Sequence, residues 1–141
     1  MTADPTRIRA DADLRRAAEL VARSGASDLM VVDGDDRFVG VLSEGDILRA
    51  ALPDRDEVLG EGGTLADAFE IFVRKGGRLR ERPIAALVIR DPLVIRPDDH
   101  IAAAAAILVD QMIRRLPVVA DGTLVGTVSR ADVCRAVVGA A

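Results

Sequence analysis

The stretch Gly126-Thr127-Val128-Ser129-Arg130-Ala131-Asp132 has a counterpart earlier in the chain, Gly40-Val41-Leu42-Ser43-Glu44-Gly45-Asp46. An internal repeat governs the reading of a short sequence, because each copy must then be one supersecondary unit. In both copies an apolar run, Phe38 to Leu42 and Leu124 to Val128, ends at a serine. A helix-forming pattern follows: Ile47, Leu48, Ala50 and Ala51 in the first, Val133, Cys134, Ala136 and Val137 in the second. The junction is therefore a strand entering a helix. The serine stands at the N-cap position and the aspartate three residues on is a capping-box carboxylate, so helix capping accounts for much of the motif. It does not account for the glycine.

Working outward, the copies align at an offset of 87 residues from Asp4 onto Asp91, and of 86 by Arg49 onto Arg135, after one extra turn residue in the first. Ile8 then pairs with Ile95, Asp11 with Asp98, Leu14 with Ile101, and Val31-Val32 with Val118-Val119. Each unit begins with a short extended segment, Thr6 to Ile8 or Leu93 to Ile95. A helix follows, about Leu14 to Arg23 or Ile101 to Met112, opened by acidic residues that favour an N-terminus. Two β-runs come next as a hairpin, Leu29 to Asp33 with Phe38 to Ser43, and Leu116 to Val119 with Leu124 to Ser129. Their turns, Gly34-Asp35-Asp36 and Ala120-Asp121-Gly122, carry suitable turn residues. The last helix of each unit runs from Glu44 to about Leu52 and from Arg130 to about Val138. The fold class is α/β in the α+β sense, two βαββα repeats around one core. Residues 1–52 form the first repeat, 53–90 a linker and 91–141 the second.

Within the linker, Pro53-Asp54-Arg55-Asp56-Glu57 is polar and aperiodic and reads as a surface segment. Thr64 and Asp67 make another capping-box pattern ahead of Leu65, Ala68, Phe69, Phe72 and Val73, so a helix is expected over about 64–74, ending at Gly76-Gly77. Its aromatic stripe reads as core or subunit interface. Arg78 to Arg82 reads as a solvated basic loop, and Pro83 to Ile89 as a short helix or strand leading into the second repeat.

At 141 residues the chain can bury a real core, whereas half of it would be marginal alone, so the repeats must share one. A formal charge of -4 excludes the basic footprint of a duplex binder. With no Trp or Tyr and only three Phe, any base would lie between aliphatic side chains. The N-terminus lacks a signal-peptide core and no apolar run is long enough for a bilayer, which predicts a cytoplasmic protein. Cys134, the only cysteine, reads as a packed core thiol. His100 aligns with Asp13 at a polar helix start and has no second histidine or cysteine with which to share a metal, so it reads as a surface histidine. No nucleophile–base set suggests an enzyme.

Gly-apolar-x-Ser/Thr-x-x-Asp at a strand-to-helix junction, used twice, resembles the paired CBS domain, or Bateman module. The resemblance covers nearly the whole chain and implies a stand-alone pair with two clefts between pseudo-two-fold units, commonly assembled as a dimer. It implies a non-catalytic sensor of an adenosine derivative: AMP, ADP or ATP, with S-adenosylmethionine or NAD less favoured. Ser43 and Ser129 would face phosphate or ribose and Asp46 and Asp132 the ribose hydroxyls, beside Thr6, Ile8, Val94 and Ile95 of the extended segments. Residues ahead of each hairpin would help hold phosphate. Repeat two has Arg114 and Arg115 there, and Arg130 after its motif serine, where repeat one has Ser27, Asp28 and Glu44. The second cleft is therefore expected to attract the phosphate that the first repels. The partner that reads the bound state is not legible, and no nucleic acid, membrane or metal is expected. A homodimer through the unit helices is expected from the small-residue run Ala102 to Ala106. The alternative is a ligand-free dimerising module whose motif residues serve only as caps.

Overall fold

β-branched Val31, Val32, Val39 and Val41 lie on two runs separated by Gly34-Asp35-Asp36, and in the computed structural model these runs pair as antiparallel strands. The structure describes residues 1, 5–52, 60, 62–111 and 113–139. Strand β1 (Arg7–Arg9) is followed by helix α1 (Leu14–Ser24), strands β2 (Asp28–Val32) and β3 (Phe38–Ser43) and helix α2 (Glu44–Ala51). Helix α3 (Leu65–Leu79) and a 3-10 turn (Ile84–Ala86) lead to helix α4 (Ile101–Asp110), strands β4 (Arg115–Ala120) and β5 (Thr123–Ser129), and helix α5 (Arg130–Val138). The polar segment Pro53 to Glu57 and the expected helix end at Met112 lie outside the described residues.

The two units repeat each other in register. β1 pairs parallel with β2, which pairs antiparallel with β3. In the second unit Ile95 bridges Val118 in parallel, and β4 pairs antiparallel with β5. Each hairpin shifts register at the same repeat position, Val31/Val32 and Val118/Val119. Asp13 caps α1 by accepting from the Arg16 N–H at 2.9 Å, and its repeat partner His100 caps α4 through Nδ1, which accepts from the Ala102 N–H at 3.0 Å. The lone histidine thus does the work of an aspartate N-cap.

Each unit has its own apolar centre, with Leu29, Val31, Leu42 and Ile84 in the first and Leu108, Leu116 and Val118 in the second. A third cluster joins them: Met30, Val32 and Leu124 are buried together, with Phe38 and Val41 packed on them. Burying one such side chain is worth about 1.5–3 kcal/mol, so Leu124 ties the second unit to the first. The hairpins also meet directly, the Phe38 N–H donating to the Gly122 carbonyl at 2.8 Å.

Gly40 is explained by what crosses it. Val41 and Ile89 exchange backbone hydrogen bonds at 3.0 and 2.8 Å, which lays the segment after the 3-10 turn across the strand. A Cβ at Gly40 would stand 2.2 Å from the Ile89 carbonyl oxygen. Only a residue without a side chain permits that approach.

Two expectations are corrected, the end of α3 and the setting of Cys134. Helix α3 does not stop at Gly76-Gly77 but continues to Leu79. Leu79 packs on the first unit's core, and the carbonyls of Arg80 and Arg82 accept from the Arg15 and Leu14 N–H groups at the open end of α1. These contacts offset the roughly 1 kcal/mol that each glycine costs a helix. Arg78 is accordingly helical, and the turn after it is a cap for α1 rather than a free loop. The stripe on α3 is split: Ile71 is buried and Phe72 half-buried, whereas Leu65, Phe69 and Val73 face outward. Cys134 is exposed and not a core thiol. Helix α5 buries none of its residues fully and touches the core through Val133, one position earlier, so a 100° helical step turns the thiol away.

Candidate functional site

The first motif is built by ending β3 at a serine. The Ser43 hydroxyl accepts from the Asp46 N–H at 3.1 Å, while the Glu44 N–H donates to the Ser27 carbonyl at 2.9 Å. The start of α2 is thereby fixed beside the start of β2. The Asp46 carboxylate pairs with Arg49, one turn further along the helix. At the second motif the same residues close on each other: the Ser129 hydroxyl accepts from the Asp132 N–H at 3.2 Å and the Asp132 carboxylate accepts from the Ser129 N–H at 2.9 Å. Asp132 completes a reciprocal cap, and Asp46 does not. Burial would raise the Asp132 carboxyl, but the Ser129 hydrogen bonds outweigh it and hold the group below the ordinary aspartate range.

A cleft of about 620 Å³ opens between the units, a size that suits a small ligand. From the first unit it takes Ser27, Asp28, Ser43, Glu44 and Gly45; from the second it takes Ile113, Arg114, Arg115 and Pro117. Aliphatic walls come from Leu48, Ile89 and Leu93, each about half exposed. The N-terminal end of α2, with its positive dipole end, thus faces two guanidinium groups across an open space. Burial pushes the Asp28 carboxyl above its usual value; Arg114 and Arg115 pull it partly back, and Glu44 and Asp46 add to the rise. Arg115 is itself held, its Nη1 donating to the hydroxyl of fully buried Thr127 at 3.3 Å.

The family model for the CBS domain matches residues 1–53 and 84–139. The chain belongs to the CBS-domain family. Its two CBS units are similar over 95% of this chain, at 27% identity, to the uncharacterized protein MJ1426 of Methanocaldococcus jannaschii, 86% of whose length is covered. It is 30% identical over 85% of its length to CBSX1, a chloroplastic CBS domain-containing protein of Arabidopsis thaliana, and spans only 53% of that relative. The crystal structure of CBSX2 in complex with AMP superposes with a TM-score of 0.70 at 27% identity, covering 96% of this chain and 89% of the other. The chain is a CBS-pair regulatory module, and no helix among its described residues is long and apolar enough to cross a membrane.

Within the CBS pair, Ser43, Arg114 and Arg115 are brought to one cleft. Asp46 sits at its edge, paired with Arg49, while Ser129, Arg130 and Asp132 are not on its wall. Arg130 instead donates to the Leu108 carbonyl at 2.9 Å, a cation placed at the C-terminal end of α4. Ile8 and Ile95 are buried in the unit cores, Thr6 gives its carbonyl to the Met30 N–H, and Val94 lies exposed beside the lining residue Leu93. The charges expected on different clefts are thus found together on this one. Arg114-Arg115 and their repeat partners Ser27-Asp28 share one cleft, because the units face each other across the pseudo-two-fold and each lends it the start of its hairpin. Ile89 and Arg49 were missed from the sequence. Gly40, whose glycine capping left unexplained, was the available sign of a segment crossing at Ile89.

Proposed function

We propose that this CBS pair binds an adenine nucleotide in the cleft between its units and reports occupancy to a partner protein by a shift of one unit against the other, without chemistry of its own. The observation that carries the reading is the placement of Arg114 and Arg115, from the second unit, opposite the Ser43 end of α2, from the first. Guanidinium groups and a helix N-terminus are both suited to phosphate, so one ligand would engage both units at once. A ligand that contacts two bodies favours the arrangement in which both contacts are made. The AMP complex of CBSX2 supports the choice of ligand. AMP, ADP and ATP are the primary candidates, ahead of S-adenosylmethionine and NAD.

Titration calorimetry and thermal shift with these five compounds test the reading. AMP at about 100 times its Kd should add roughly 2.7 kcal/mol to stability. Arg114→Ala, which removes an exposed side chain without a hydrogen bond or ion pair among the described residues, should weaken AMP by tenfold or more. No shift with any of the five compounds would leave the ligand-free interaction module, a role the reciprocal Ser129–Asp132 cap favours for the second motif. We also propose a homodimer through the unit helices, where Val109 of α4 and Val137 and Val138 of α5 are exposed. Sedimentation equilibrium decides it, a monomer mass at micromolar concentration ruling it out.

A further inference from the structure

We propose that the cleft selects its nucleotide by charge, accepting a monophosphate and rejecting a triphosphate, with Asp28 and Glu44 setting the limit. The proposal rests on the adenine-nucleotide reading above and adds which member of that class the site takes.

The two sides of the cleft carry opposite signs. Asp28, at the start of β2, and Glu44, the first residue of α2, belong to the first unit, and Arg114 and Arg115 to the second. The acidic side is fixed by the backbone. Asp28 is paired in register with Ser43, and the Glu44 N–H is bonded to the Ser27 carbonyl. Among the described residues no ion pair within 4.0 Å joins the two sides, so the opposed charges are separated by the space a ligand would fill. The third guanidinium on the cleft, Arg49, is already committed to Asp46.

A phosphomonoester carries about two negative charges at neutral pH, which Arg114 and Arg115 can match, because neither is in an ion pair among the described residues and the Arg115 bond to the neutral Thr127 hydroxyl leaves its charge uncompensated. Each further phosphate brings another charge and finds no further free cation on the described wall. Apart from Arg49, whose charge is matched by Asp46, the remaining formal charges on the described wall are the Asp28 and Glu44 carboxylates. At an effective dielectric of about 20, like charges some 4 Å apart repel strongly, and the partial burial of Asp28 limits the screening. A carboxylate therefore costs ATP more than it costs AMP, and the penalty is absent for uncharged adenosine.

Calorimetric titration of the full chain with adenosine, AMP and ATP in magnesium-free buffer at neutral pH tests this, with Glu44→Gln and Asp28→Asn as variants. AMP should bind tenfold or more tighter than ATP to the unaltered chain, and each variant should shrink that ratio at least threefold. Added magnesium, which cancels about two charges of ATP, should narrow the gap in the unaltered chain. An AMP-to-ATP preference below threefold, or a ratio that neither variant shrinks threefold, overturns the charge limit while leaving nucleotide binding intact. Failure of both adenosine and AMP to bind overturns the nucleotide reading itself and the limit with it. A thermal melt of each variant establishes that it is folded, and the two substitutions at separate positions guard against the loss of either.

Discussion

Replacing Gly40 by alanine should destabilise the whole chain, although the substitution adds one methyl group on a strand of ordinary geometry. The new Cβ would lie 2.2 Å from the Ile89 carbonyl oxygen and 2.9 Å from Val88 Cγ1. The nearest obstacle is backbone, so no rotamer change relieves it. The segment carrying Val88 and Ile89 must move off β3, which breaks the two backbone hydrogen bonds between Val41 and Ile89. Losing both costs about 1–3 kcal/mol, and forcing a methyl into a packed site costs about 1–3 more. A total of about 2–6 kcal/mol is a large share of the 5–15 expected for a domain. At about 3 °C per kcal/mol for a chain of this size, Tm should fall by at least 6 °C. Urea unfolding would show the same loss as a lower midpoint with an unchanged slope. Because Ile89 also lines the cleft, the AMP binding proposed above should weaken along with stability. A Gly40→Ala chain within 1 kcal/mol of the original would refute the account of Gly40 as a crossing point.

Two further predictions follow from local geometry. Gly76→Ala and Gly77→Ala should each raise stability by about 0.5–1 kcal/mol, because both glycines are inside α3 with open space where a Cβ would go; a loss on chemical denaturation would mean that the helix ends there after all. Asp132 and Asp28 should tilt stability with pH in opposite senses. Asp132 titrates below its ordinary value of about 3.9, so its contribution is present above that pH and is lost as pH falls through the lowered value. Asp28 titrates above it, so its cost grows as pH rises through the raised value. At neutral pH Asp132→Asn should therefore destabilise by about 0.3–1 kcal/mol and Asp28→Asn should stabilise, with both differences vanishing in acid. Equal effects at pH 3 and pH 7 would show that charge is not their cause.

The repeat made the architecture legible, since capping residues and apolar period are local signals and both copies carry them. Asp13 and Thr64 cap as their sequence positions indicate, and α5 spans Arg130–Val138 as its pattern predicts. Where local signals misled, a distant contact had overruled them. Gly76-Gly77 reads as a helix stop until Leu79 is seen packed on the first unit's core. Cys134 reads as core until α5 is seen to reach the second unit's core through Val133. Ser43, Arg114 and Arg115 were legible as candidate residues, but their grouping on one cleft was not. Sequence alignment places Ser27-Asp28 and Arg114-Arg115 at equivalent positions, which invites assigning each pair to its own motif.

A pseudo-two-fold has a different consequence. Equivalent positions near the axis come to face one another, so the residues that differ most between the repeats meet in one space. The start of β2 brings a carboxylate and the start of β4 a pair of guanidinium groups, and the cleft between them is polar along the line joining the units. Two identical repeats could not make such a site, because like charges would then oppose each other across the axis. Divergence of the copies at Asp28 and Arg115 is thus what converts a duplicated fold into an oriented pocket. The units are also joined by contacts that do not depend on those charges, through the apolar cluster of Met30, Val32 and Leu124, which reaches the cleft wall only at Val41.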